Sequence, residues 1–552
     1  MRTQKSIRAL LAGFVLGVGA MLPMAQAQSD KAVAVVSIAP VEKLMKDVSY
    51  VTQAAGVPEF SGFANLMIKQ YTNGLDTSRP AGVVVTLVDN QPLPLAFLPL
   101  KNREAFFQAL AAAGVIPDEL GNGMFSFDAG GRSIFAKDAG QWLFISQQED
   151  DLAKLPSNPA ALLRDMPTKY DLGIELNVQA FPEELRQLAI DQMKEGFERS
   201  LAEQTGQSDE ERAAAEEMGK ASMAQLERVI KETDKVLLGW NSDPKQQRVA
   251  LTVAAQFTEG SELAKQSELL SSLTSSFTGL LIPEAAVNSR FTSPIAESDK
   301  AVSKNNIRNG VAQMEKQIDD SGSLPSPAKD ALKKFVKGVA GVLSKTIDGG
   351  KLDGALSVDV EEGDLSVVLG GAVADGRALE KEVKDLVKAL GSGPDVPTVE
   401  FDYAKHKNVS LHKVHIPIQS DDPIVEKLFG DELTLVIGTA DKAFYISLEP
   451  EDDDVIKEAI DRAAGAPSAK VTPGELIVEV GQLLEFAQEL QPNPMLDIAL
   501  EAIKEYDGKD SIRLNSTAIP RGGMYELSID EGVLKAIGVT AKAGQAGNRG
   551  GF

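Results

Sequence analysis

Apolar positions fall into two spacings that alternate along the chain. Val33–Ile38 and Gly82–Val88 are apolar runs of strand length. Leu356-Ser357-Val358-Asp359-Val360 alternates apolar and polar residues, the period-two pattern of a strand with one buried and one wet face. Between such runs the spacing lengthens. Val41, Leu44, Met45, Val48 and Val51 follow the i, i+3, i+4, i+7 series of an amphipathic helix. Phe60, Phe63, Ala64, Met67 and Tyr71 form a second helical stripe, and Leu332, Phe335, Val336, Val339, Val342 and Leu343 a third. Stripes this broad predict helices that face a core. Asn102 and Asp375 are expected as helix N-caps, and Gly114 and Gly391 as the glycines that stop those helices.

The elements come twice in one order. Trp142–Ser146 has a counterpart in Phe444–Ser447, each followed by acidic residues, and Leu172–Leu176 has one in Leu476–Val480. A strand, two helices, a hairpin, a third helix and a closing hairpin recur in each half. The pattern predicts repeat A over 31–283 and repeat B over 284–538. The expected fold class is α+β, two tandem repeats, each a mainly antiparallel sheet with helices packed on one face. Repeat A carries an acidic helical insert, 182–234, expected as a helical hairpin on the sheet, broken near Gly206-Gln207, with Ser208–Glu211 as a capping box. Residues 541–552, rich in glycine and small side chains, are expected to be a disordered tail.

Residues 1–27 change the picture from fold to compartment. Arg2, Lys5 and Arg8 precede an apolar run that ends at Pro23, and Ala25-Gln26-Ala27 supplies the small residues of a cleavage site. A signal peptide cleaved after Ala27 places the mature chain in the periplasm or outside the cell, with no membrane span left. There is no cysteine, which excludes a disulfide framework, thiol nucleophiles and Cys-ligated zinc. The net charge is −24, and it falls further once the leader's three bases are lost. Nucleic acid and anionic lipid are therefore poor partners on bulk electrostatics, and cations and basic surfaces stay open.

Candidate chemistry is sparse. His406, His412 and His415 are the only histidines, all within one short stretch, and with Asp402 they are a candidate zinc or copper set. Against this, His412 and His415 differ by an odd number along one strand, and Lys405, Lys407 and Lys413 interleave with them. Asp359, Glu361, Glu362 and Asp364 surround a turn and Glu451–Asp454 are consecutive, but no calcium-loop spacing is present. No Gly-x-Ser-x-Gly elbow, phosphate loop, dinucleotide fingerprint or His-Glu-x-x-His motif occurs, so no cofactor is expected. Candidate ligand contacts are Phe60, Phe63, Met67 and Phe335 on the helix stripes. Arg79 joins them, in the shaped lead-in Arg79-Pro80-Ala81-Gly82 to the first hairpin. For the aromatics the competing role is core, and for Arg79 a turn held by an acid.

Val33–Ile38, Asp76–Gly82, Gln179–Gln192, Gly239-Trp240-Asn241 and the leader ending Ala-Gln-Ala resemble uncharacterised secreted proteins of planctomycete-type bacteria. The resemblance covers repeat A well and repeat B loosely. It implies a lineage and a compartment, and it brings no catalytic or ligand residues. The expected function is that of a secreted or periplasmic non-catalytic protein that binds a partner protein or belongs to the envelope. Two alternatives stand beside it: a carrier of an apolar ligand or lipid in a groove between helices and sheet, and a carboxylate-dependent hydrolase.

Overall fold

The computed structural model describes residues 29–549 except 129–132, 204–208, 323, 362–363, 392–395, 419, 421, 449–453, 466–468 and 507. The expected leader, the capping serine Ser208 and the acids Glu451–Asp453 lie outside the described residues. The chain mixes helix and strand around antiparallel sheet. It divides into two compact units. The first comprises residues up to Glu203, Ala224–Ser261 and Glu526–Val539; the second comprises Gln204–Met223, Glu262–Tyr525 and the residues from Thr540. The division after Ser261 differs from the sequence boundary at 283/284, because Glu262–Pro283 packs in the second unit and Glu526–Val539 in the first.

In the first unit the strands are β1 (Ser29–Ile38), β2 (Ala81–Val88), β3 (Gln91–Pro99), β4 (Asp118–Gly121), β5 (Met124–Asp128), β6 (Ser133–Asp138), β7 (Trp142–Ser146), β8 (Leu172–Asn177), β9 (Thr233–Asp243) and β10 (Arg248–Phe257). They pair antiparallel in the order β10-β9-β8-β1-β2-β3-β7-β6-β5-β4. Asp89 and Asn90, both at positive φ, make the two-residue turn between β2 and β3, as a right-twisted hairpin requires.

The second unit pairs its strands in a matching order. Ser511–Ile519 pairs with Gly474–Glu479, which pairs with Val287–Pro294, and then follow Lys351–Glu361 and Asp364–Ala372. Ala443–Leu448, Glu432–Ala440, Val409–Pro417 and Thr398–His406 complete the series.

The helix caps form as the sequence expects. The Asn102 side chain accepts from the Ala105 N–H at 3.1 Å and that of Asp375 from the Ala378 N–H at 2.9 Å. Gly114 and Gly391 sit at positive φ.

Helices on one face only is an expectation the structure corrects. In the first unit, Val35, Val84, Phe97, Trp142 and Phe144 pack under Leu152, Leu163 and Met166 of the turns at 150–169. The opposite face buries Ala34, Val36, Val83 and Val85 under Leu185, at the start of the helix Glu183–Glu203. In the second unit the helix Asp454–Gly465 lays Ile456, Ala459 and Ile460 on Leu411, Val436 and Tyr445. There the helix Gly376–Leu390 crosses the other face, where Glu380 accepts from Thr439 Oγ1 at 2.8 Å. The reason was visible in β1: Val33-Ala34-Val35-Val36 does not alternate, and an unbroken apolar run needs cover on both sides.

Two further differences concern helices. Phe60 and Phe63, expected in the core, are each 58 % exposed on the helix Glu59–Thr72. Polar contacts join that helix to its neighbour Val41–Ala54, with Ser61 and Asn65 both bonding Ser49 Oγ at 3.0 Å, while Ala64, Met67 and Tyr71 of the same stripe are half-buried. The helix Glu531–Arg549 runs through the start of the stretch expected to be a disordered tail. The insert forms two helices, Glu183–Glu203 and Asp209–Glu232, joined by a Lys194–Glu227 ion pair at 2.7 Å. Among the described residues no helix is long and apolar enough to cross a membrane.

Candidate functional site

A cleft of about 430 Å³ opens on the first unit. Its floor is the middle of β1 and β2, presenting Ala32, Val35 and Val84. Ala161 and Leu162 form one wall; Asn177, Gln179 and Ala180, at the end of β8, form the other, and Asp234, Lys235 and Arg164 stand at the rim. The turn Pro159–Leu163 is placed by Leu163, which is fully buried. Leu163 enters over Gly82, where a Cβ would lie 2.5 Å from Leu163 Cδ2 and 2.8 Å from Phe97 Cζ. Leu162 and Arg164, flanking the buried anchor, are thereby turned outward.

Arg164 holds an unusual backbone, φ 52° and ψ −129°, a region open to glycine and costly for a residue with a Cβ. Its Nη1 donates to both oxygens of Glu175, at 2.8 and 3.0 Å. Lys235 Nζ is 3.6 Å from the same carboxylate. The amides are bound into the frame: Asn177 Nδ2 donates to Ala32 O at 2.8 Å, and Gln179 Nε2 donates to Lys231 O and Thr233 O at 2.8 and 2.7 Å. Gln179 Oε1 accepts from Arg186 at 2.7 Å. The walls are therefore pre-set, and the guanidinium and the ammonium at the rim share one carboxylate.

The sequence candidates lie elsewhere. Arg79 is an anchor for its own turn: Nε donates to Asp76 at 2.9 Å, Nη2 to Gln141 O at 2.9 Å, and its carbon sits 4.6 Å from the Trp142 ring centroid. Phe60 and Phe63 face solvent, and Met67 is half-buried beside them. Phe335 is half-buried on the helix Ser326–Asp348 of the second unit.

The histidines do not converge. His406 pairs with Asp461 at 2.7 Å and His415 with Glu432 at 2.7 Å, while His412 is buried. His412 instead joins Glu380 and Asp402, with one potential ligand atom of each within 4.8 Å of the others. The chemistry of this set does not suit a metal. Lys384 Nζ already bridges Glu380 at 2.7 Å and Asp402 at 2.8 Å, and Arg377 holds Glu380 at 2.9 Å. His412 Nδ1 accepts from the Asp402 N–H at 3.0 Å, which assigns the ring proton to Nε2, facing Thr439 Oγ1 at 3.4 Å. That leaves no imidazole lone pair for an ion. Burial favours the neutral acid in Glu380, yet hydrogen bonds from Lys384, Thr439 and Arg377 win and hold it at about 2. Burial depresses His412, keeping it neutral.

A second ionic cluster needs its own account. Lys43 donates to Asp47 at 3.1 Å and also pairs closely with Asp171, which accepts from the Ser242 N–H at 2.7 Å. Burial and the charge of Asp171 push Asp47 up to about 6 against the pull of Lys43. A raised carboxyl beside a second carboxylate side chain is a pattern of acid–base catalysis. Here, however, none of the three residues lines the cleft. The lysine between the carboxylates ties the helix Val41–Ala54 to the start of β8.

No family model matches the chain, and no curated protein matches it. Two crystal forms of TP0453 are similar in structure at 8 % identity: one at TM-score 0.21, covering 42 % of this chain and 81 % of that one, the other at 0.22, covering 46 % and 89 %. Likenesses this slight carry no argument about fold or activity.

Proposed function

We propose that this is a secreted, non-catalytic binding protein, built from two tandem repeats of one α+β unit, that holds a small ligand in the cleft of its first unit. The matching strand order in the two units supports the repeat reading. The cleft carries the functional one: a volume of about 430 Å³, an apolar floor and polar walls already satisfied by the frame. Cavities of this size with a few placed polar groups are where small molecules bind. Hydrolysis is the weaker reading, because the raised carboxyl Asp47 lies outside the cleft. The carrier reading moves with the cavity. An apolar ligand would rest on the sheet floor, since the Phe60–Phe63 stripe faces outward. The leader and the resemblance to planctomycete-type secreted proteins support the compartment.

Native mass spectrometry of mature protein purified from a secreting host tests this. A bound small molecule is expected, and Ala161→Trp, which fills the cleft, should release it. Ligand-free protein from every secreting host, or a ligand indifferent to Ala161→Trp, would sink the proposal.

A further inference from the structure

We infer that the cleft selects a small amphiphilic monoanion, and that Arg164 is the residue that grips its anionic head; this rests on the ligand-binding reading above. Three observations converge on Arg164. First, it has a backbone that only glycine adopts without strain, yet the position is an arginine. Strain of this kind persists where a side chain is needed in one place. Second, its paired state is incomplete. Nη1 alone reaches Glu175, leaving Nε and Nη2 with no partner among the described residues, and the side chain is 54 % exposed. A guanidinium offers its flat edge as a fork to a carboxylate, and that edge remains open here. Third, Lys235 stands on the same Glu175 at 3.6 Å, so two cations share one anion at the rim. Asp234, a second acid, also lines the cleft.

The remainder of the cleft fixes the body of the ligand. Ala32, Val35, Val84, Ala161 and Ala180 are small or branched apolar side chains, with no aromatic ring to stack on. Gln179 spends both its amide N–H donors on backbone carbonyls and Asn177 spends one of its two on Ala32 O, so the walls offer few side-chain amide donors to a polar body. A compact apolar body with one anionic end therefore fits this lining better than a sugar or nucleoside, whose many hydroxyls would find few donors.

Isothermal titration of the full mature chain with 4-phenylbutyrate, octanoate and their neutral amides is the test. The acids are expected to bind and the amides to bind at least about tenfold more weakly, the value of one charge-assisted contact. Arg164→Gln should weaken acid binding by at least about tenfold. Arg164→Gly should weaken it as much while melting no lower than wild type, since the strain is relieved. A purely structural Arg164–Glu175 pair predicts the reverse, a lower melting temperature with binding intact. Ala161→Trp, with Leu162→Trp on the exposed wall as a second blocking variant, should abolish binding of every probe. Acid and amide binding equally, or acid binding indifferent to Arg164→Gln, overturns the anion assignment. If that binding is still blocked by Ala161→Trp, the ligand-binding reading survives. No binding of any probe overturns both.

Discussion

Single side chains in this protein decide more than their type announces. Gly82 is the clearest case. Sequence marks it as a turn residue, but its role is to leave room for Leu163 and Phe97, and so to seat the turn that walls the cleft. Gly82→Ala is expected to cost about 1–3 kcal/mol, the usual range for overpacking a closed core, read from the urea midpoint. Asp47 gives the pH prediction. Its folded value of about 6 lies above its ordinary 3.8, so the folded state holds a proton that the unfolded chain has released. Stability from this group is complete below pH 3.8 and is lost as pH rises through about 6. Asp47→Asn mimics the protonated form. It should gain on wild type by on the order of 2 kcal/mol between pH 4 and pH 7. A difference between the two proteins that stays flat with pH would refute the assignment. None of this was legible in sequence, since Asp47 there is one acid among 80.

At the scale of elements, period and capping were legible and facing was not. The caps at Asn102 and Asp375 and the helices between Glu183 and Glu232 follow local chemistry, and local chemistry is written in adjacent residues. Which side of a helix is buried depends on what else arrives. The stripe Phe60–Tyr71 has the right spacing for a core helix, yet Ser61 and Asn65 bond the neighbouring helix, and Phe60 and Phe63 turn outward while Ala64, Met67 and Tyr71 are half-buried. Replacing Phe60 and Phe63 with serine should therefore change stability by no more than about 0.5 kcal/mol each. Phe144→Ala, deep under the turns at 150–169, should cost about 3–5 kcal/mol. Thermal melts of the two variants side by side would decide; a collapse of the serine variant places that stripe in a core after all. The histidine stretch fails for a related reason. Strand alternation separates His412 from His415, while the partners of His412 arrive from a distant helix and the preceding strand.

For the whole molecule, the expected secretion has a direct check. Intact mass of material recovered outside the cytoplasm should correspond to a chain beginning at Gln28, and a mass that retains residues 1–27 would contradict cleavage after Ala27. The sequence by itself determined the α+β class, the order of strands and helices along each half, the caps, and the absence of disulfides. All of these follow from residue type and from spacing within a few turns or pleats. Only the tertiary structure decided which faces are covered, where the compact units divide, and that a cleft exists at all. Its floor comes from Ala32 and Val84, its strained arginine from 164 and its second cation from 235. Residues so far apart in sequence are made neighbours by β-pairing, through β2–β1–β8–β9. Such pairing is a property of the sheet, and no short window of sequence contains it.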